Sequence, residues 1–216
     1  MMLQLAIPPG FIPLPITADE QQQAADSELI ATLAGFGNPS PTIADALVQV
    51  ARSFHDCGVI FAGQLTDPEI GPSHCALVTL SVSSLGRHVP DFGNRHSTSV
   101  EAARAIASVL SEGNPDAVVQ YRDLDCGPTV LVLRAGRFVM PEDDPYADAV
   151  SGLPPTSDNL QALVPLTSTG QLLVLDMSTS SREHWPRFIG HALQMVASIR
   201  GNEDIDRSSG SARRGT

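Results

Sequence analysis

Lysine is absent from this chain, and all 13 basic residues are arginine. The absence excludes a lysine nucleophile, Schiff-base chemistry and the lysine of a Walker-type phosphate loop. Positive charge of any kind is scarce. The 24 acidic residues leave a formal net charge of −11, which argues against nucleic acid or an anionic membrane as the main partner, since both require clustered positive charge. No apolar run approaches the length of a membrane span. Cysteine is limited to Cys57, Cys75 and Cys126, an odd and widely spaced set. Such spacing does not make a disulfide framework and points to a reducing cytoplasm. The stretch from Met1 to Ile16 has no basic region and is broken by Pro8, Pro9, Pro13 and Pro15, so a cleaved signal peptide is not expected.

What is present is ordinary core material, with 42% hydrophobic residues over a length of 216. That length supports one substantial core. The most informative part is the closing segment. Leu160 to Leu166 and Gln171 to Ser178 are apolar runs of strand length around the turn-prone Thr167-Ser168-Thr169-Gly170, the pattern of an antiparallel hairpin. Pro165 cannot donate to a ladder, so the first of these strands is expected at an edge or at a bulge. Leu172 to Leu175 are apolar at consecutive positions, which predicts a strand covered on both faces. Ser180 to Glu183 then reads as a capping box. Trp185, Phe188, Ile189, Ala192, Leu193, Val196 and Ile199 follow at helical spacing. Pro186 implies that the regular helix starts there or kinks there, and Trp185 is expected to anchor it on the sheet.

Upstream, Pro8 to Ile16 is expected to be extended, with Phe11, Ile12 and Leu14 laid along the body. Thr17-x-x-Glu20 opens a predicted helix to about Leu33, and Thr42 caps a second that ends before Gly58. Strands are predicted at 59–63 and 76–82. A third capping box, Thr98-x-x-Glu101, opens a helix that stops at Gly113-Asn114-Pro115. Val118 to Leu124 and Thr129 to Val139 form a predicted hairpin about Asp125-Cys126-Gly127-Pro128. Pro141 to Ser157 is a long acidic loop of the kind that is commonly functional. Strands therefore come in pairs and do not alternate strictly with helices. This predicts an α+β fold, an antiparallel sheet with flanking helices, closed by a β-hairpin and a C-terminal amphipathic helix. The expected organisation is an extended arm at 1–16, one α+β domain at 17–200 and a disordered tail at 201–216.

The proline-rich opening, the capped helices and paired strands, and the closing unit of Leu172 to Ser178, Thr179-Ser180-Ser181 and the Trp185 helix resemble the Mog1/PsbP-like α+β proteins, small bacterial members among them. The likeness is one of layout over about Pro8 to Arg200. It implies a binding or accessory protein, and because that fold has no shared catalytic residues it carries no site residue onto this chain.

The residues themselves offer a few constellations. His55-x-Cys57 with His74-Cys75 has the donors of a zinc site, but neighbours on a strand point to opposite faces, so no metal or cofactor is expected. Serines, acids and His74, His88, His96, His184 and His191 provide the parts of a Ser/His/Asp hydrolase without a nucleophile elbow. Between Arg87 and His96, two arginines and two histidines crowd a Gly/Pro loop that leads into a helix start, a setting that suits a carboxylate or phosphate. Arg87, His88, Arg95 and His96 are the candidate anion-binding residues. Asp143 and Asp144, in the acidic loop, are candidates for contact with a basic partner. The expectation is a cytoplasmic, non-catalytic module that binds a protein partner. The alternative is a small hydrolase with a site assembled from distant residues. Self-association through an exposed sheet face is a further possibility for the partner.

Overall fold

Buried residues at every second position give the strand Cys75–Ser84 one core-facing side. In the computed structural model, which describes residues 3–14, 16, 53–71, 74–88, 98–137 and 156–201, Ala76, Val78 and Leu80 are buried along the strand Cys75–Ser84 while Thr79 and Ser81 turn to the other face. The elements in chain order are β1 (Leu3–Gln4), β2 (Phe11–Pro13), β3 (Val59–Thr66), β4 (Cys75–Ser84), α1 (Ser99–Gly113), β5 (Val118–Leu124), β6 (Gly127–Arg137), β7 (Thr156–Leu166), β8 (Gln171–Thr179), α2 (Trp185–Ala197) and β9 (Arg200–Gly201). Seven strands form one antiparallel sheet in the order β2-β3-β4-β8-β7-β6-β5. β1 and β9 form a separate ribbon. This is the α+β arrangement anticipated from the paired strands.

Each face of the sheet holds its own core. Leu173, Leu175 and Met177 of β8 join Val78 and Leu80 of β4 and Leu160, Ala162 and Val164 of β7 under α2, which contributes Phe188, Ala192, Met195 and Val196. Leu172 of β8, with Leu163 of β7 and Val130 and Val132 of β6, packs on Ala102, Ala103 and Ile106 of α1. β8 is thus apolar at consecutive positions because a helix lies over each of its faces. Trp185 packs against the first core.

Local chemistry sets the helix starts, once as expected and once not. Thr98 and Glu101 make the full capping box, with the Thr98 amide donating to Glu101 Oε2 at 2.8 Å and the Glu101 amide to Thr98 Oγ1 at 3.3 Å. Those Thr98 donors hold the exposed Glu101 carboxyl below its usual range. The box expected at Ser180 and Glu183 does not form. Arg182–His184 make a 3-10 turn without a side-chain cap, and α2 begins at Trp185 with Pro186 in its first turn. A proline there loses no helical hydrogen bond, and Glu183 is left free for another partner.

Pro165 departs from expectation too. It lies in an interior strand, between β8 and β6, where it pairs with Leu172 of β8. Pairing of β7 to β6 runs only as far as Leu163, so Pro165 sits beyond the ladder that a proline would have broken. The β5–β6 hairpin is also tighter than anticipated, because Leu124 pairs with Gly127 and only Asp125 and Cys126 form the turn. The helix expected at 17–33, most of the one capped at Thr42 and the tail from Asn202 lie outside the described residues.

At the free side of β3, β2 adds a short edge through Phe11, Ile12 and Pro13. Phe11 stacks on Phe61 with centroids 4.8 Å apart, and its ring lies over Gly63, where an added Cβ would collide with the ring and with the Ile12 carbonyl. Gly63→Ala should therefore cost about 1–3 kcal/mol through overpacking. Gly113, with open space around it, serves as the control, and urea midpoints of Gly63→Ala and Gly113→Ala compare the two. An unchanged midpoint for Gly63→Ala would mean that β2 is not seated as described.

Candidate functional site

Antiparallel pairing sends the connecting segments to two opposite ends of the sheet. At one end, Cys75 of β4 pairs with Thr66 of β3, Leu77 with Ser178 of β8, and Arg137 of β6 with Thr156 of β7. The β3–β4 turn after Asp67, the segment Ser180–His184 before α2, and the two residues that bracket 138–155 all belong to this end. At the other end, Ser84 pairs with Gln171, and the 3-10 turn Leu85–Arg87 leaves toward α1.

The first end concentrates ionisable groups. Asp67, 3% exposed, is its anchor. Its Oδ1 accepts the Glu69 amide at 2.9 Å, which closes an Asx turn. Its Oδ2 accepts Arg187 Nε at 2.8 Å and faces His191 Nε2 at 3.3 Å. The Glu69 amide and, beyond it, His191 and Arg187 hold the Asp67 carboxyl below the usual carboxylate range against the opposing effect of burial. Arg187 also bonds Glu69, and this pairing raises the guanidinium pKa. Arg187 and His191 are four apart on α2, so one helix face offers both to the turn. Beside them Arg182 Nε reaches Asp158 Oδ2 at 3.2 Å.

Next to this network lies a group with metal-ligand donors. His74 Nδ1 is 3.3 Å from Glu183 Oε1, and His184 Nε2 is 3.9 Å from the same oxygen. The two imidazoles meet edge to face with centroids 4.5 Å apart. Thr179 fixes the two segments to each other. Its hydroxyl donates to the Cys75 carbonyl at 2.6 Å and accepts the Ser181 amide at 3.0 Å.

The sequence-derived candidates fall differently. Arg87 and His88 sit at the opposite end, where His88 Nε2 is 3.1 Å from Ser83 Oγ. Among the described residues, no carboxylate bonds the other ring nitrogen of His88. Arg95, His96, Asp143 and Asp144 lie outside the described residues. The pairs His55/Cys57 and His74/Cys75 do not converge, since β3 begins just after Cys57, where Val59 pairs with Ser81, and β4 begins at Cys75, paired with Thr66. Seven residues of strand separate those ends, roughly 23 Å. Sequence reasoning missed the cluster that does form. Its signals were Asp67-Pro68-Glu69 just before His74 and a run of Arg and His at 182, 184, 187 and 191.

One open depression, about 320 Å³, lies where α1 runs into β5. Gly113 to Ala117, Arg134 and Ala135 line it. Its ionisable side chains are Asp116 and Arg134. Among the described residues, no helix is long and apolar enough to cross a membrane.

No family model and no curated protein sequence matches the chain. Its structure is similar to the solution structure of cyanobacterial PsbP (CyanoP) from Synechocystis sp. PCC 6803, at 13% identity and a TM-score of 0.39, over 92% of this chain and 85% of that one. At this identity and TM-score the likeness is one of layout alone and carries no family or role to this chain.

Proposed function

We propose that this chain is a non-catalytic binding or accessory module, bacterial and cytoplasmic, that docks a protein partner on the end of the sheet formed by the β3–β4 turn and Ser180–His184. One observation carries the reading. Exposed charge sits there on a buried frame, with Glu69 at 75%, Glu183 at 59% and Arg182 at 53% side-chain exposure around the nearly inaccessible Asp67. A surface of that kind supplies orientation and encounter rate to a protein contact. Arg137 and Thr156, paired at this end of the sheet, are the described residues on either side of the sequence segment that contains Asp143 and Asp144. The three free cysteines support a reducing compartment.

The test is capture from the native host's lysate at moderate salt, with the parent protein and with Glu69→Arg, Glu183→Arg and Asp143→Arg/Asp144→Arg variants. A stoichiometric partner lost at least ten-fold in the reversals and retained by Arg87→Glu supports the reading. A bait that returns no partner, or one insensitive to every reversal, overturns it.

The Ser83–His88 hydrogen bond favours a second reading, a small hydrolase in which His88 would take the Ser83 proton. A fluorophosphonate probe separates the two. The binding reading expects no labelling, whereas labelling abolished by Ser83→Ala and by His88→Ala would establish an activated serine.

A further inference from the structure

We propose that His74, Glu183 and His184 form a binding site for one divalent transition-metal ion of the zinc class. One donor atom from each lies within 4.8 Å of the other two, and the His74 Nδ1 to Glu183 Oε1 separation is 3.3 Å. In a tetrahedral zinc site with bonds of about 2.0–2.1 Å, adjacent donors stand roughly 3.3–3.4 Å apart. One pair of donors is therefore at ligand spacing already. The remaining approach, under about 1.5 Å, lies within the reach of side-chain rotation at half-exposed positions.

The donor set narrows the ion. Two imidazoles and one carboxylate suit zinc, cobalt or nickel, whereas magnesium and calcium prefer sites made wholly of oxygen. Three protein donors leave a coordination position open to solvent, available to water or to a donor from a bound molecule.

The framework is built to hold these donors together. His74 immediately precedes β4, and Glu183 and His184 occupy the 3-10 turn that leads into α2. The buried Thr179 hydroxyl joins the carbonyl after His74 to the amide two residues before Glu183. On the far side, Arg187 bound to Asp67 ties the next turn of α2 to the same loop. A plain His74–Glu183 ion pair accounts for one contact. It does not account for a second imidazole brought edge-on to the first within the same few ångströms. Glu183 and His184 also belong to the proposed docking face, and the two proposals are tested apart because metal uptake is measured with no partner present.

The experiment is titration of the full-length, tag-free protein with Co²⁺, followed by visible absorption and by displacement with Zn²⁺. One equivalent per chain is expected, with the intense bands of a four- or five-coordinate ion. H74A, H184A and E183Q should each weaken binding by at least ten-fold, whereas H191A and H55A leave it within two-fold. E183Q keeps the shape of the side chain, so a loss in that variant with an unchanged metal-free thermal midpoint reads coordination and not folding. Several weak equivalents, no uptake at all, or uptake indifferent to H74A and H184A would overturn the site.

Discussion

Replacing Phe188 with alanine is expected to lower the free energy of unfolding by about 3–5 kcal/mol, the range for truncating a fully buried phenylalanine. Phe188 is completely inaccessible and belongs to the core that α2 forms with β4, β7 and β8. The loss has two parts, the apolar area returned to water and the cavity that the neighbouring Met177, Leu175 and Met195 cannot fill by collapse. For a domain whose whole stability is of order 5–15 kcal/mol, this is about a fifth of the total or more. The chain reports on itself, since its single tryptophan, Trp185, opens α2. Urea unfolding followed by Trp185 fluorescence and by far-ultraviolet circular dichroism should give coincident transitions, both shifted to lower denaturant in the variant. A shift below about 1 kcal/mol would mean that α2 does not seal this core. Fluorescence changing well ahead of the dichroism would mean that α2 detaches while the sheet survives. In that event the turn carrying Glu183 and His184 would be released with it.

What could be read in the sequence was whatever repeats on a short period. The alternation in 76–82, the continuous apolar run Leu172 to Leu175 and the helical spacing from Trp185 to Ile199 each report burial directly, and the sheet and α2 followed from them. The capping box at Thr98 was equally legible because donors and acceptor lie within one turn. The box at Ser180 has the same local pattern and does not form. Glu183 has a competing partner in His74, more than a hundred positions away, and local pattern cannot weigh a contact that pairing of β4 with β8 creates. Pro165 was placed at an edge for the same kind of reason. Proline constrains only the ladder it would interrupt, and where β6 stops pairing depends on a register that no single strand reveals.

The candidate site was less legible still. Crowding along the chain drew attention to Arg87, His88, Arg95 and His96, whereas the groups that meet in space come from segments at 67–74, 158 and 182–191. Asp67 and Arg187 are each unremarkable in their own context. A two-residue Asx turn orients one, and an exposed helix face carries the other. Only the sheet order, which brings the β3–β4 turn beside the start of α2, converts them into a network. His74 and His184 show the limit plainly, since each is an isolated histidine until Thr179 holds their two segments a fixed distance apart.

The Asp67 network gives the second large effect, and its sign is set by the direction of the shift. The Glu69 amide, then His191 and Arg187, keep the folded-state carboxyl below its ordinary value of 3.8. A group so lowered contributes stability that is fully present above the unfolded value and is lost as the pH falls through the folded one. Near neutral pH, Asp67→Asn should cost about 1–3 kcal/mol, since it keeps an oxygen for the Glu69 amide but removes the charge that Arg187 addresses. Asp67→Ala should cost more, because it also leaves the Glu69 amide without its acceptor. Arg187 is 43% exposed, so solvent screens part of the Coulomb attraction and the Asn variant belongs at the lower end of that range. The difference between parent and Asp67→Asn should then narrow as the pH falls below 3.8, where the unfolded chain begins to bind the proton, and should close once the pH has passed the lowered folded value and the folded carboxyl is protonated as well. Denaturant midpoints of parent, Asn and Ala variants across acid and neutral buffers measure this directly. A gap between parent and Asn that stays constant through the acid range would mean that the charge of Asp67 contributes nothing. The turn would then be held by the Asx hydrogen bond alone, and α2 would be fastened to the β3–β4 turn only through the exposed Glu69.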